Sequence, residues 1–214
     1  MLVRDRMSRN PITTYPAATV PDAQQVMQGS KVRQLPVLNT KGNLVGIVSL
    51  DDILRVLPSP ATSLSVHELN YLIERMKVED VMTTDVITVT EDTALEEAGR
   101  IMADNRVSGL PVMRGDELVG IITESHLFNV LLEFFGARQH GVRMIVTFPE
   151  IKGTIAKIAA AIAGVDGAMF ALGISDEPEK KEVTATMKVM DVDKDALAAA
   201  VKPLVSTIED VREL

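Results

Sequence analysis

Residues 35–54 read LPVLNTKGNLVGIVSLDDIL, and the phrase returns at 110–128 as LPVMRGDELVGIITESHLF. At a shift of seventy-five positions Val3, Asp5, Met7, Ile12, Thr13, Ala23, Met27, Val32, Leu35, Pro36 and Val37 meet Val78, Asp80, Met82, Ile87, Thr88, Ala98, Met102, Val107, Leu110, Pro111 and Val112. One residue is lost in the turn, and Leu44, Val45, Gly46 and Ile47 then meet Leu118, Val119, Gly120 and Ile121 at a shift of seventy-four. Self-similarity at one period, with its single slip in a Gly-containing turn, is the mark of a duplicated structural unit.

Within each unit the local signals predict strand, helix, strand, strand, helix. In the first copy, Ile12 to Thr14 is a β-prone run and Pro16 can open a helix. Val20, Ala23, Val26 and Met27 recur at helical spacing. Leu35 to Leu38 and Leu44 to Val48 flank the turn 39–43 as the strands of a hairpin, and Ile53, Leu54 and Leu57 share a face of the next helix. The polar stretch PSPATSLS then breaks the pattern. Ser65 and Glu68 have capping-box spacing, ahead of a linker helix striped by Leu69, Leu72, Ile73 and Met76. The second copy carries Leu95, Ala98, Ile101 and Met102 on its first helix.

After Phe134-Phe135-Gly136 the character changes. Val142 to Phe148 reads as a strand, and Ile155, Ile158, Ala159 and Ile162 as an amphipathic helix. Ala168 to Ser175 is apolar, DEPEKK is a charged turn, and Val183, Ala185, Met187 and Val189 alternate with polar neighbours as in a half-buried strand. Asp193 can cap a helix bearing Leu197, Val201 and Leu204, and a last strand falls at Ile208 to Val211. The order strand, helix, strand, strand, helix, strand predicts a small sheet with both helices on one face. The expected boundaries are 1–57 and 78–134 for the repeats, 58–77 for the linker and 139–214 for the last domain, an α+β protein throughout.

Composition narrows the function classes. A chain of 214 residues with 46% apolar content can bury well-formed cores, but aromatics are only 3% and Trp is absent, which disfavours nucleic-acid binding by base stacking. The formal charge of −8 disfavours a phosphate-backbone partner for the same chain. With no cysteine there is neither a disulfide framework nor a thiolate site, as suits a reducing compartment. The opening MLVRDRMSRN is too charged for a signal-peptide core, and no apolar run approaches spanning length, so a cytoplasmic protein without a membrane partner is expected. His67, His126 and His140 lack zinc-ligand spacing, no Ser sits in a nucleophile elbow, and no Gly-rich phosphate loop is present. The sequence offers no catalytic centre and no metal site.

What remains is Gly46-Ile47-Val48-Ser49-Leu50-Asp51-Asp52 with its counterpart Gly120-Ile121-Ile122-Thr123-Glu124-Ser125-His126. A hydroxyl ending a strand and opening a helix can meet an anion, and a carboxylate three residues on can accept from paired ribose hydroxyls. The same Ser-x-x-Asp spacing equally describes a plain N-cap serving only the backbone.

These residues, with Met7 and Met82, Ile12-Thr13 and Ile87-Thr88, Leu35-Pro36-Val37 and Leu110-Pro111-Val112, resemble a cystathionine β-synthase (CBS) domain pair, the two-repeat arrangement called a Bateman module. That resemblance implies a disc with a cleft between repeats that takes AMP, ATP, NAD or S-adenosylmethionine as a regulatory ligand rather than a required cofactor. It places Ser49 and Thr123 at phosphate and Asp52 at ribose. Thr13 and Thr88, with the segments before Pro36 and Pro111 that hold Lys31, Arg33 and Arg106, fall at the base pocket. His126 stands where the family usually shows Asp. Around the first copy Arg4, Arg6, Arg9, Lys31, Arg33, Lys41 and Arg55 outnumber four acids, whereas 78–131 has three arginines against eleven. Phosphate is therefore expected on the first side, at a site built chiefly around Ser49 and Asp52.

The tail 139–214 resembles an ACT domain, the ferredoxin-like regulatory fold, through Pro149-Glu150-Ile151-Lys152-Gly153-Thr154-Ile155. That resemblance brings forward Glu150 and Gly153 as amino-acid contacts, and Gly153 is equally the glycine a turn requires. The whole arrangement resembles the acetoin-utilisation AcuB family. The expected protein is a non-enzymatic adenine-nucleotide sensor with an unknown protein partner. Its alternative is an amino-acid sensor working through paired C-terminal domains on a CBS scaffold. A homodimer is expected from the exposed edge of a small sheet.

Overall fold

The computed structural model describes residues 1–56, 75–149, 152–177 and 182–214. The linker-helix residues Ser65, Glu68, Leu69, Leu72 and Ile73, together with Leu57, Glu150 and most of the DEPEKK turn, lie outside the described residues. The chain divides into two compact units, Met1–Leu127 and Phe128–Leu214.

The first unit contains both repeats. Repeat 1 holds β1 (Ser8–Arg9), α1 (Val20–Ser30), β2 (Gln34–Leu38), β3 (Leu44–Ser49) and α2 (Leu50–Val56); repeat 2 holds β4 (Val89–Thr90), α3 (Leu95–Asn105), β5 (Gly109–Arg114), β6 (Glu117–Thr123) and the start of α4 (Glu124–Phe134). Helix α1 starts at Thr19, whose Oγ1 accepts from the backbone N–H of Asp22, and Pro21 rather than Pro16 occupies the first turn. Pro16 lies four residues too early because the hydroxyl cap and the missing N–H of Pro21 coincide at the later position. Helices α1 and α3 both end on a cationic residue in the left-handed region, Lys31 at φ 55° and Arg106 at φ 56°. The duplication thus extends to an uncommon backbone state.

The hairpins form as read. Asn39 Oδ1 accepts from the N–H groups of Lys41 and Asn43, closing the first turn around Gly42 at φ 83°. The strand expected at Ile12 to Thr14 shrinks to a single parallel bridge from Thr14 to Val37, while its counterpart forms two residues late, as β4 beside β5. In α2, Ile53 is fully buried but Leu54 is 52% exposed, so the apolar stripe is narrower than its spacing implied. Val26 of α1 is likewise exposed.

The repeats exchange their opening segments. Strand β1, at the head of repeat 1, pairs antiparallel with β6 of repeat 2 through Ser8 and Ile121, in a sheet ordered β1-β6-β5-β4. Thr83, at the head of repeat 2, bridges Ile47 of β3 in return. Leu2 bridges Ala94 and Lys77 bridges Thr19, the same contact written twice at the seventy-five-residue shift. Gly46 and Gly120 permit this exchange: a Cβ on Gly46 would stand 2.5 Å from Met82 Sδ and 3.1 Å from the Thr83 carbonyl oxygen, and one on Gly120 would strike Met7 Sδ and stand 3.1 Å from the Ser8 oxygen. Repeat 1 packs Met27, Leu35, Val37, Val48 and Ile53 into one core with Val78 from the head of repeat 2. Burial of this kind contributes roughly 1.5–3 kcal/mol per large aliphatic side chain.

The second unit contains β7 (Val142–Pro149), α5 (Thr154–Ala163), β8 (Ala168–Glu177), β9 (Glu182–Met190), α6 (Lys194–Val201) and β10 (Thr207–Glu213). Its antiparallel sheet runs β10-β7-β9-β8, the split arrangement in which a strand is inserted between the two joined by each helix. Val142, Met144, Val146 and Phe148 meet Val183, Ala185, Met187 and Val189, and all pack against Ile158 and Ile162 of α5 and Leu197 and Val201 of α6. One alternate set of side chains meets both helices. Asp193 Oδ1 caps α6 by accepting from the N–H groups of Asp195 and Ala196. Lys188, on the polar alternate of β9, is nevertheless only 4% exposed. Gly141 lies against its stem and Phe135 over Gly173, so residues ahead of β7 cover part of that face.

Candidate functional site

The two hairpins end on matched helix caps built from different chemistry. At Ser49 the backbone N–H and Oγ both donate to Asp52 Oδ2, at 2.9 and 2.6 Å, and the Asp52 N–H returns a bond to Ser49 Oγ at 3.2 Å. This reciprocal pairing is a capping box. At Thr123 the backbone N–H donates to His126 Nδ1 at 3.0 Å, and Oγ1 lies 2.9 Å from the same atom. Because a backbone N–H can only donate, Nδ1 carries the lone pair and the ring proton sits on Nε2. Nε2 lies 3.2 Å from Ser8 Oγ, so the imidazole donates to the opening segment of repeat 1. Burial pushes the His126 pKa down, favouring this neutral form.

Both caps open onto one cavity of about 700 Å³, lined by residues 8–12, 31–34, 49–51, 108, 121 and 123–126. Its apolar wall comes from Pro11, Ile12, Val32, Leu50 and Ile121, its cations from Arg9, Lys31 and Arg33, and its carboxylates from Asp51 and Glu124. The cations are loosely held: Arg33 is 3.9 Å from Asp51 and Arg9 is 3.6 Å from Glu91. An apolar slot beside hydroxyls and cations suits a ligand with a flat apolar end and an anionic one.

Of the residues singled out in the sequence, Lys31, Arg33, Ser49, Thr123 and His126 meet at this cavity. Asp52 stands behind Ser49, off the wall, with Oδ2 committed to the cap. Pro36 and Pro111 are buried inside β2 and β5, and the residues before them, 31–34 and 108, supply the wall. Thr13 and Arg106 are not among the lining residues. Thr88 lines a separate polar hollow of about 760 Å³ with Asn43, Asp85 and Asp116. Gly153 adopts φ 87° with open space where a Cβ would point, the geometry of a turn glycine.

The sequence reading missed Ser8 and took Arg9 only as part of a basic side, while Gln34 and Ser108 fall within the segments before Pro36 and Pro111 without being named. Gln34 is 8% exposed, and its amide lies over the backbone of Gly109, its own repeat equivalent, where any Cβ would collide with it. The signal was present as a glycine opposite a glutamine in the repeat alignment.

A family model described as the CBS domain matches residues 3–59 and 78–133. Among solved structures, one from Vibrio cholerae described as an acetoin utilization protein (AcuB) is 30% identical, with a TM-score of 0.53 over 64% of this chain and 95% of that one. The CBS domain pair of protein MJ0100, solved with 5′-methylthioadenosine and S-adenosyl-L-methionine, is 26% identical, with a TM-score of 0.52 over 65% and 98%. CBSX2, solved with AMP, is 30% identical, with a TM-score of 0.50 over 64% and 98%. Curated relatives include one that the chain spans over 92% of its length and an inosine-5′-monophosphate dehydrogenase from Methanocaldococcus jannaschii that it spans over 20%. No helix among the described residues is long and apolar enough to cross a membrane.

Proposed function

We propose, because this chain belongs to the CBS domain family, that it is a regulatory protein binding an adenosine-containing ligand in the cleft between its two repeats. The observation that carries this reading is the convergence of Ser49, Thr123, Lys31 and Arg33 with an apolar wall on one cavity. In this reading the adenine lies against Ile12, Val32 and Ile121, and the phosphate meets the hydroxyls of Ser49 and Thr123 beside Lys31 and Arg33. Asp52, behind the wall, acts through its cap, holding Ser49 in place toward the ligand. The AMP complex of CBSX2 and the S-adenosylmethionine complex of MJ0100 support the ligand class. Likeness to the Vibrio cholerae protein supports a link to acetoin utilisation.

The remaining boundaries belong to the same proposal. Residues 58–77 link the repeats, and 139–214 form an ACT-like domain, a reading supported by the β10-β7-β9-β8 order. Among the described residues strand β8 has an unpaired edge, with exposed Leu172 and Ile174, which supports assembly with a second copy. In this proposal the protein is regulatory rather than catalytic and acts in the cytoplasm through a protein partner.

Thermal-shift screening of the full chain against AMP, ATP, NAD, S-adenosylmethionine and the amino acids tests the reading. A ligand at a hundred-fold excess over its Kd adds about 2.7 kcal/mol, a readily measured rise in Tm. Stabilisation by at least one adenosyl compound is expected. Stabilisation by amino acids alone, or by nothing, overturns it.

A further inference from the structure

We propose that His126 makes this cleft select anionic, phosphorylated adenosyl ligands over cationic ones. The inference rests on the cleft being the ligand site and deepens that reading to a charge preference.

Position 126 is the repeat equivalent of position 52, but the two are placed differently: His126 lies on the cavity wall, whereas Asp52 does not. Residue type at 126 therefore acts directly on the field a ligand meets. From the elements around it the cleft receives Arg9 from β1, Lys31 and Arg33 from the segment after α1, Asp51 from α2 and Glu124 from α4. With a neutral imidazole the wall carries three cations and two carboxylates, and Arg9 is also balanced by Glu91 at 3.6 Å. A carboxylate at 126 would add a negative charge on the wall itself, and charges a few ångströms apart interact most strongly where water is partly excluded.

His126 is also a donor in this position. Its Nε2–H points at Ser8 Oγ, a neutral hydroxyl at a long 3.2 Å. A phosphate oxygen is a stronger acceptor and takes over this hydrogen bond on binding. A carboxylate at 126 would present only acceptors, favouring ribose hydroxyls or a sulfonium over phosphate.

Equilibrium titration of the full chain with ATP and with S-adenosylmethionine at pH 8, for wild type, H126D and H126N, decides the matter. Asp already caps in this way at position 52, so H126D is expected to fold. The predicted ratio of ATP to S-adenosylmethionine affinity falls on the order of tenfold in H126D at pH 8. H126N, neutral and able to donate through its amide, is expected to keep a ratio close to that of wild type. If wild type binds both compounds and H126D leaves the ratio unchanged, this inference is overturned while the cleft remains the ligand site. If wild type binds neither, the functional reading fails and takes the inference with it.

Discussion

The caps at Ser49 and Thr123 occupy equivalent positions in a duplicated chain, yet one is closed by a carboxylate and the other by an imidazole. The carboxylate cap is self-contained: Asp52 and Ser49 satisfy each other within one turn. The imidazole cap reaches outward, spending its second nitrogen on Ser8 in the exchanged segment of the other repeat. Duplication has preserved the backbone geometry while the electrostatics have diverged.

The largest expected effect concerns what the repeats still share. Gly46→Val and Gly120→Val each push a branched side chain into the methionine and carbonyl of the exchanged segment. Each is expected to cost about 3 kcal/mol by urea unfolding, and the two losses should agree closely. A large inequality would mean that the two exchanges are not energetically equivalent.

The next effect separates the caps. Asp52→Ala and His126→Ala each remove an N-cap acceptor, and each should cost about 1 kcal/mol at pH 8. The pH dependence differs. Because burial lowers the His126 pKa below its ordinary 6.5, the unfolded chain binds more protons than the folded one between those two values. The stability from this cap is thus full above about 6.5 and is lost as pH falls through 6.5 toward the folded value. The gap in unfolding midpoint between wild type and His126→Ala should therefore narrow as pH falls below about 6.5. Persistence of the His126→Ala deficit at pH 5 would show that the ring serves chiefly as packing.

The smallest effect lies where the equivalent positions touch. Gly109→Ala places a methyl against the Gln34 amide, a flexible tip that can give way, so a loss of about 1 kcal/mol is expected. Adding Gln34→Ala should recover most of it, a coupling that a double-mutant cycle measures. Additive losses would place the strain elsewhere.

Much of this organisation was legible in the residues. The seventy-five-residue shift foretold two copies of one unit, and the alternation Val183, Ala185, Met187, Val189 foretold the core of the second unit. The exchange of opening segments was not legible, because two similar hairpins offer two similar edges and periodicity does not name a partner. For the same reason Ser8 and Arg9 read as a charged N-terminus although they line the cleft. Pro16 misled because a proline marks a favourable first turn without saying whether a cap precedes it; Thr19 decided in favour of Pro21. Leu54 misled because spacing gives a helix face but not the width of what covers it. Asp52 was legible as a capping residue, and its retreat from the wall is visible only in three dimensions.

Hydrogen–deuterium exchange of the full chain with and without saturating AMP bears most directly on the ligand cleft. Binding there predicts slowed exchange in residues 8–12, 31–34, 49–52 and 121–126, with the rest of the chain changing less. Protection confined to 142–213, or none at all, would contradict it.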